Sequence, residues 1–156
     1  MKLPARIAVF LSSLLLTGIL VLLYSFYSGY RTRTDPEPWK DSQLISPAAL
    51  EQRLTDKTVA APLVLSIGPG AVIKGSEDIG AAHEDSNIAK FRQRLSSLPR
   101  NKELIIYCGC CPFVHCPNIR PAFAVLNEMK FTNARLLNIE HNIKTDWISK
   151  GYQTNP

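Results

Sequence analysis

Short apolar runs rich in β-branched residues alternate with helical patterns between residues 43 and 153. Of all features of the sequence, this alternation restricts the possible folds most strongly. Strands are predicted at residues 63–67, 103–107 and 134–139. Helices are predicted at residues 47–54, 85–98, 119–129 and 143–150. Strands that alternate with helices through short links form a parallel sheet covered by helices on both faces. The sequence therefore predicts an α/β domain over residues 43–153.

All four cysteines of the chain follow the second predicted strand directly, within nine residues that read CGCCPFVHC. A buried core cysteine is usually solitary and packs as a small apolar group. Active sites of parallel sheets lie outside the carboxyl ends of the strands, which is where this segment falls. The segment is therefore the candidate functional site. Structural disulfides remain an alternative, although a bridge between the adjacent Cys110 and Cys111 would be strained.

Cys108, the first of these cysteines, is the candidate nucleophile, because the reactive form of cysteine is the thiolate. Loop N–H groups and the start of the helix near Asn118 are expected to favour its negative charge. Arg120 is expected to add a positive charge from the first turn of that helix. Cys111 completes a Cys-x-x-Cys pair with Cys108, so it is expected to resolve a persulfide or a sulfenic acid into a disulfide.

Metal binding is the main alternative for the same segment. Thiolates select soft ions such as copper(I) and zinc, and an imidazole adds a compatible ligand. The residues of this alternative ligand set are Cys108, Cys110, Cys111, Cys116 and His115. Structural zinc sites usually take two ligand pairs that are separated along the chain, whereas these residues share one loop. A thioredoxin motif is disfavoured, because Pro112 blocks the helix that would follow it at once.

The N-terminus carries a second constraint, since residues 7–24 contain no charged side chain. Such a run is longer than the usual apolar core of a signal peptide, which has about 7–15 residues. We therefore predict a basic segment at 1–6, a single transmembrane anchor at 7–27 and a linker at 28–42. A cleaved signal peptide is the alternative. The domain is expected on the extracytoplasmic side, with Trp39 near the membrane interface.

Composition excludes two further classes of protein. With 46% hydrophobic residues and a net charge of only +5, the chain is unlike a disordered protein. Its 18 Lys and Arg residues are scattered against 13 acidic ones, with no basic run among aromatic residues. This distribution is typical of a solvated surface, so no nucleic-acid partner is expected.

Residues 45–152 resemble a rhodanese-like domain, the fold of a family of sulfurtransferases. The resemblance lies in the following segments: ISPAAL at 45–50, LVLSI at 63–67, IGAAH at 79–83, IIYC at 105–108, FTNA at 131–134, Trp147 and the Gly151-Tyr152 pair. The family's usual loop has four residues between its cysteine and its arginine. Here eleven residues separate Cys108 from Arg120, and three more cysteines lie among them.

The resemblance implies that Cys108 carries sulfane sulfur as a persulfide, with the neighbouring thiols as relay or resolving groups. It implies a small sulfur donor or a thiol acceptor as partner, and it implies no cofactor. A non-catalytic rhodanese-like interaction module is also consistent with it. The sequence thus predicts a membrane-anchored, rhodanese-like protein of sulfur or thiol chemistry, with copper(I) or zinc binding as the alternative.

Overall fold

The computed structural model describes residues 17–25 and 36–156, and the chain divides into two compact units, Met1–Pro36 and Glu37–Pro156. In the first unit, residues 17–25 form a helix (α1) whose apolar side chains are exposed. The predicted basic segment lies outside the described residues, as do 7–16 and 26–27 of the predicted anchor. Among the described residues, no helix has both the length and the hydropathy that crossing a bilayer requires.

A five-stranded sheet forms the centre of the second unit. Its strands are β1 (Leu44–Ile45), β2 (Leu63–Ser66), β3 (Glu77–Asp78), β4 (Leu104–Tyr107) and β5 (Ala134–Leu137). Their order in the sheet is β1-β5-β4-β2-β3, and every neighbouring pair is parallel. The predicted parallel sheet is therefore confirmed. The two edge strands have only two residues each, too short for their periodicity to be visible in the sequence.

Three helices lie between these strands, α2 (Pro47–Thr55), α3 (Asp85–Ser96) and α4 (Ile119–Glu128), and a fourth, α5 (Ile143–Asp146), follows β5. The start of α2 follows the usual capping rule, because the Ser46 hydroxyl accepts a hydrogen bond from the Ala49 N–H at 3.2 Å. The last predicted helix ends earlier than expected. It gives way to a 3₁₀ turn at Ile148–Lys150, which Gly151 closes in the left-handed conformation with φ of 74°.

The core has two parts, one on each face of the sheet, because successive strand side chains point in opposite directions. On one face Leu65, Ile106 and Leu136 pack against residues of α3 and α4 such as Phe91 and Phe123. The opposite part of the core has the following members: Ile45, Leu50, Val64, Ile73, Ile105, Tyr107, Leu137, Ile139 and Trp147. The predicted covering of both faces is thus confirmed, and strand β4 is buried along its whole length.

The segment before β1 belongs to the core rather than to a free linker. Trp39 is only 8% exposed, and its ring lies 6.2 Å from Phe113 and 5.7 Å from Phe123, centroid to centroid. Its predicted interfacial position was wrong, because this aromatic ring finds a buried pocket beside α4 and the loop before it. Of the predicted linker 28–42, residues 28–35 lie outside the described residues, and residues 37–42 are part of the folded unit.

Trp39→Ala should lower the free energy of unfolding by about 3 kcal/mol, because it removes a large buried aromatic side chain and leaves a cavity. Urea denaturation of the full chain in detergent micelles measures this change. Val59 is an exposed residue, so the control variant Val59→Ala should change the free energy of unfolding by less than about 0.5 kcal/mol. Equal stability of the two variants would show that Trp39 does not belong to the folded core.

Candidate functional site

Cys108 is the first residue after β4, which lies between β5 and β2 inside the sheet. Ser66 of β2 is paired with Tyr107 of β4, so the chain that leaves β2 passes beside Cys108. Gly68 lies on this path, and a Cβ atom placed there would be 2.5 Å from the Cys108 sulfur. A larger residue at position 68 would therefore occupy the space of the sulfur. The carboxyl end of the sheet accommodates the thiol because a glycine faces it.

The four cysteines form one group of sulfur atoms, which we call the cysteine cluster: Cys108, Cys110, Cys111 and Cys116. All four are free thiols, and their sulfur atoms lie within 4.8 Å of one another. The Cys110 sulfur is 3.3 Å from that of Cys108 and 3.3 Å from that of Cys111. Cys110 thus lies between the candidate nucleophile and the predicted resolving cysteine.

Exposure to solvent differs sharply within the cluster. Cys108 and Cys116 are buried, Cys111 is half-buried and Cys110 is exposed. Cys108 itself has 0% exposed surface. The thiol that meets solvent is therefore not the candidate nucleophile but its neighbour two residues along. Since Cys108 has no exposed surface, a reagent reaches it only when some of the residues around it are displaced.

Hydrogen bonds to its sulfur lower the pKa of Cys108 to about 5, well below the ordinary value of a thiol. The Cys116 thiol makes the largest contribution as a donor, and burial opposes it. The Cys110 N–H and the Asn118 side chain also donate to the sulfur, the latter at 3.4 Å. Donors that point at a charged sulfur favour its anionic form. Cys108 is consequently a thiolate at neutral pH.

The neighbouring thiols are shifted in the opposite direction. Cys110 is an exposed residue, but its thiol is partly buried against the other sulfurs; this loss of water, together with hydrogen bonds to the Cys108 and Cys111 sulfurs, raises the pKa of Cys110 to about 12. The pKa of Cys116 is also raised, chiefly because its thiol donates to Cys108, and burial adds to this. Once one sulfur of a crowded group is ionised, a second negative charge beside it is disfavoured. At neutral pH the cluster thus has a thiolate at Cys108, with neutral thiols at Cys110 and Cys116.

Asn118 connects the Cys108 sulfur to a second loop. This residue is 3% exposed and lies just before α4. The amide oxygen accepts a hydrogen bond from the His83 backbone N–H at 3.0 Å, and the His83 Nδ1 atom lies 2.8 Å from the same oxygen. His83 is an exposed residue of the segment between β3 and α3. The histidine thus lies two hydrogen bonds away from the buried thiolate.

Backbone contacts hold the cysteine loop against the segment that follows β5. The Ile143 N–H donates to the Gly109 carbonyl and the Phe113 N–H donates to the Ile139 carbonyl, both at 2.9 Å. A Cβ atom at Gly109 would be 2.7 Å from the Ile143 Cβ, so the close approach requires glycine. The loop then makes a 3₁₀ turn at Phe113–His115 before α4 begins. Both ends of the loop are therefore positioned by the fold.

Arg120 makes a different set of contacts from the one expected. Its guanidinium forms an ion pair with Glu37, donates to the Val114 carbonyl at 3.2 Å and lies 5.7 Å from the centre of the Trp39 ring. The groups that lower the Cys108 pKa are the Cys116 thiol, the Cys110 N–H and thiol, and the Asn118 amide. Arg120 thus ties the start of α4 to the segment before β1.

Of the other predicted site residues, one lies in the cysteine cluster and one lies outside it. Cys111 lies in the cluster, as both the resolving role and the metal alternative required. His115, the fifth residue of the alternative ligand set, is exposed at the end of the 3₁₀ turn and lies outside this group of sulfur atoms.

Two residues of the site were missed, Gly68 and the Asn118 side chain, while for His83 a position in a surface loop was favoured over one near the site. A glycine directly after an apolar strand was a usable signal for a close approach. The contacts of Asn118 and His83 depend on the sheet order, which the sequence does not display.

No protein-family model matches the sequence, and no curated protein matches it. Among solved structures, the fold is similar to that of EanB, in the complex of its Cys-to-Ser variant with hercynine. The TM-score is 0.53 and the sequence identity is 12%, over 72% of this chain and 27% of that chain. The chain thus spans about a quarter of the length of the protein it matches. At this identity the similarity shows the fold alone.

The Cys116 thiol should be the main group that keeps Cys108 ionised. In the reduced, metal-free full chain, we expect the ultraviolet absorbance of one thiolate to disappear as the pH falls through about 5. Because the unfolded thiol ionises at a higher pH, the stability contributed by this ionisation is fully present above the ordinary pKa of a thiol and is lost as the pH falls from there to about 5. Cys116→Ala should move the midpoint upward, since it removes the donor.

Cys116→Ser, which keeps a hydroxyl donor, is the matched control and should move the midpoint less than the alanine variant. Cys108→Ser should remove the low-pH transition altogether. An unchanged midpoint in Cys116→Ala would contradict the assigned role of this thiol.

Proposed function

We propose that the protein is a rhodanese-like sulfurtransferase in which Cys108 carries sulfane sulfur as a persulfide. The observation that supports this most is the Cys108 thiolate, which hydrogen-bond donors surround at the carboxyl end of an interior parallel strand. The sequence resemblance puts the family's persulfide position at this same cysteine. The similarity in fold to EanB is consistent with the proposal, and the matching EanB chain is a variant in which serine replaces a cysteine.

In the proposed reaction, the Cys108 thiolate attacks the outer sulfur of a small donor such as thiosulfate. A sulfur–sulfur bond forms at Cys108, the donor's own bond to that sulfur breaks, and sulfite leaves with the bonding electron pair. A thiolate or cyanide then attacks the outer sulfur of the persulfide and releases Cys108 as a thiolate. No net oxidation or reduction by an outside agent is needed, since the sulfane sulfur passes unchanged from donor to acceptor.

The low pKa of Cys108 serves both halves of this exchange. A thiolate that is fully ionised at neutral pH is available for the first attack. A thiol of low pKa is also a better leaving group, which favours release of the sulfur to the acceptor. The Cys110 N–H and the Asn118 amide that now donate to the sulfur are positioned to stabilise the charge of a persulfide.

Access is the step that the fold restricts. Cys108 is buried and its sulfur lies 3.3 Å from that of the exposed Cys110, so in this proposal the donor enters by displacing the part of the loop that carries Cys110. Cys111, which lies next to Cys110, is then the thiol proposed to resolve Cys108 in a side reaction: it attacks the Cys108 sulfur, a Cys108–Cys111 disulfide forms, and hydrosulfide leaves from a persulfide or water from a sulfenic acid. An external thiol then reduces this disulfide. In this proposal the additional cysteines protect the sulfur in the resting protein and discharge it.

We also propose that the domain is anchored to a membrane through residues 7–27 and lies on its extracytoplasmic side. The support is the uncharged apolar run in the sequence. Such a compartment is oxidising, so a cluster of free thiols there would need reduced partners.

Sulfur loading tests the sulfurtransferase proposal. The reduced full chain in detergent micelles is incubated with thiosulfate or inorganic polysulfide, desalted and treated with cyanide. We expect stoichiometric thiocyanate from the unaltered protein and none from Cys108→Ser, because only Cys108 forms the persulfide. His115→Ala, at an exposed residue of the same loop, should load normally. Equal loading of Cys108→Ser and the unaltered protein would exclude the proposed role of Cys108.

Binding of a soft metal ion is a second candidate function, and the closeness of the four sulfur atoms favours it. A tetrahedral zinc site with Zn–S bonds of about 2.3 Å places its sulfurs about 3.8 Å apart. The sulfurs of the cluster lie within 4.8 Å of one another, so small shifts would bring them to this spacing. Copper(I) accepts the same thiolate donors with fewer ligands.

Metal competition tests this second function. We expect the reduced protein to take zinc or copper(I) from a chromophoric chelator at one ion per cluster. Cys116→Ala should weaken the affinity by about 100-fold or more, because it removes a ligand. Substitutions of residues around a metal site, which leave the ligands in place, typically cost about 10- to 100-fold. His115→Ala should leave the affinity unchanged. Binding that is insensitive to Cys116→Ala would show that the cluster is not the metal site.

A further inference from the structure

A hydrogen bond from the His83 backbone fixes which way the Asn118 side-chain amide is oriented. A backbone N–H is a donor only, so the amide atom 3.0 Å from the His83 N–H must be the oxygen Oδ1. The other end of the amide, Nδ2, then points at the Cys108 sulfur at 3.4 Å. Because Nδ2 carries two hydrogens and no lone pair, the Cys108 sulfur is held as an acceptor.

The same reasoning applies to the His83 ring. Its Nδ1 atom lies 2.8 Å from Oδ1 of Asn118, and a carbonyl oxygen accepts but does not donate. Nδ1 must therefore carry the proton in this contact. In a neutral ring only one nitrogen is protonated, so Nε2 keeps a free lone pair. The contact thus selects one of the two tautomers of His83.

We infer that His83 is a positioning residue of the cysteine site, acting through Asn118 to hold the amide Nδ2 on the Cys108 sulfur. Two donors of one residue, the backbone N–H and Nδ1–H, bind the single Oδ1 atom from the segment before α3. Without the ring, the backbone N–H alone would hold Oδ1, and the amide would be free to tilt about that one bond. The ring contact fixes the plane of the amide and hence the direction of its hydrogens.

The burial of Asn118 strengthens this inference. The residue is 3% exposed, so water does not replace a lost partner easily. The ring of His83, in contrast, belongs to an exposed residue and adds nothing to the buried core. A histidine at the surface that donates to a buried amide has a polar role rather than a packing role. Replacing it should therefore affect the site more than the fold.

The tautomer is the first test, and it does not depend on sulfur transfer. Long-range ¹H–¹⁵N spectra of the reduced, metal-free full chain, recorded above the titration range of imidazole, should show His83 protonated at Nδ1. Asn118→Ala removes the acceptor and should release His83 to a mixture in which the Nε2–H form dominates. An Nε2–H tautomer in the unaltered protein would overturn the inference.

The second test is functional and rests on the proposed function. His83→Ala should slow sulfur loading about fivefold, the effect expected from one lost hydrogen bond. His83→Asn is the matched variant, because its side-chain amide places an N–H donor where Nδ1 lies, and it should recover most of the rate. His83→Ala should lower the unfolding temperature by a few degrees at most, because the backbone N–H still binds Oδ1, and His83→Asn should leave it unchanged.

The outcomes separate the two proposals. An Nδ1–H tautomer without any sulfur loading would leave the contact established and remove the sulfurtransferase proposal. Normal loading in both His83 variants would show that His83 does not position the site. Slow loading in the alanine variant that the asparagine variant does not restore would equally exclude the donor role.

Discussion

The site depends on one arrangement, a buried sulfur atom that receives hydrogen bonds from several donors and faces a residue without a side chain. Cys116, Asn118 and the Cys110 N–H supply the donors, while Gly68 supplies the space. Burial alone would raise the pKa of a thiol, since it removes water from the charged form. Here the donors outweigh burial. The negative charge is stabilised by neutral dipoles rather than by a cation.

This distinction separates the observed site from the expected one. The sequence predicted a thiolate after a buried strand, and Cys108 follows strand β4 with a lowered pKa. It attributed the charge stabilisation partly to Arg120, whose guanidinium instead pairs with Glu37 and lies over Trp39. Closeness in the sequence could not show whether Arg120 faces Cys108 or Glu37, because the side chains in the first turn of a helix point in all directions around its axis.

The longer elements of the fold were predictable because each has a period or a cap. Strand β4 is an unbroken apolar run, and Ser46 with Pro47 marks the start of α2. The two-residue strands β1 and β3 have no such pattern, and they form only because a neighbouring strand offers hydrogen-bonding groups. Trp39 was misplaced for a related reason, since its partners Phe113 and Phe123 lie far along the chain.

The cysteine cluster is entirely local, because its members come from a single loop between one strand and one helix. Bringing such close neighbours together costs little conformational entropy. For the same reason, a cross-link among them would remove little conformational entropy from the unfolded chain. Chemical changes at the sulfurs therefore have little effect on the stability of the sheet beneath them. A change in the oxidation state of the loop would therefore leave the scaffold folded, and the chemistry of the thiols is separated from the architecture that holds them.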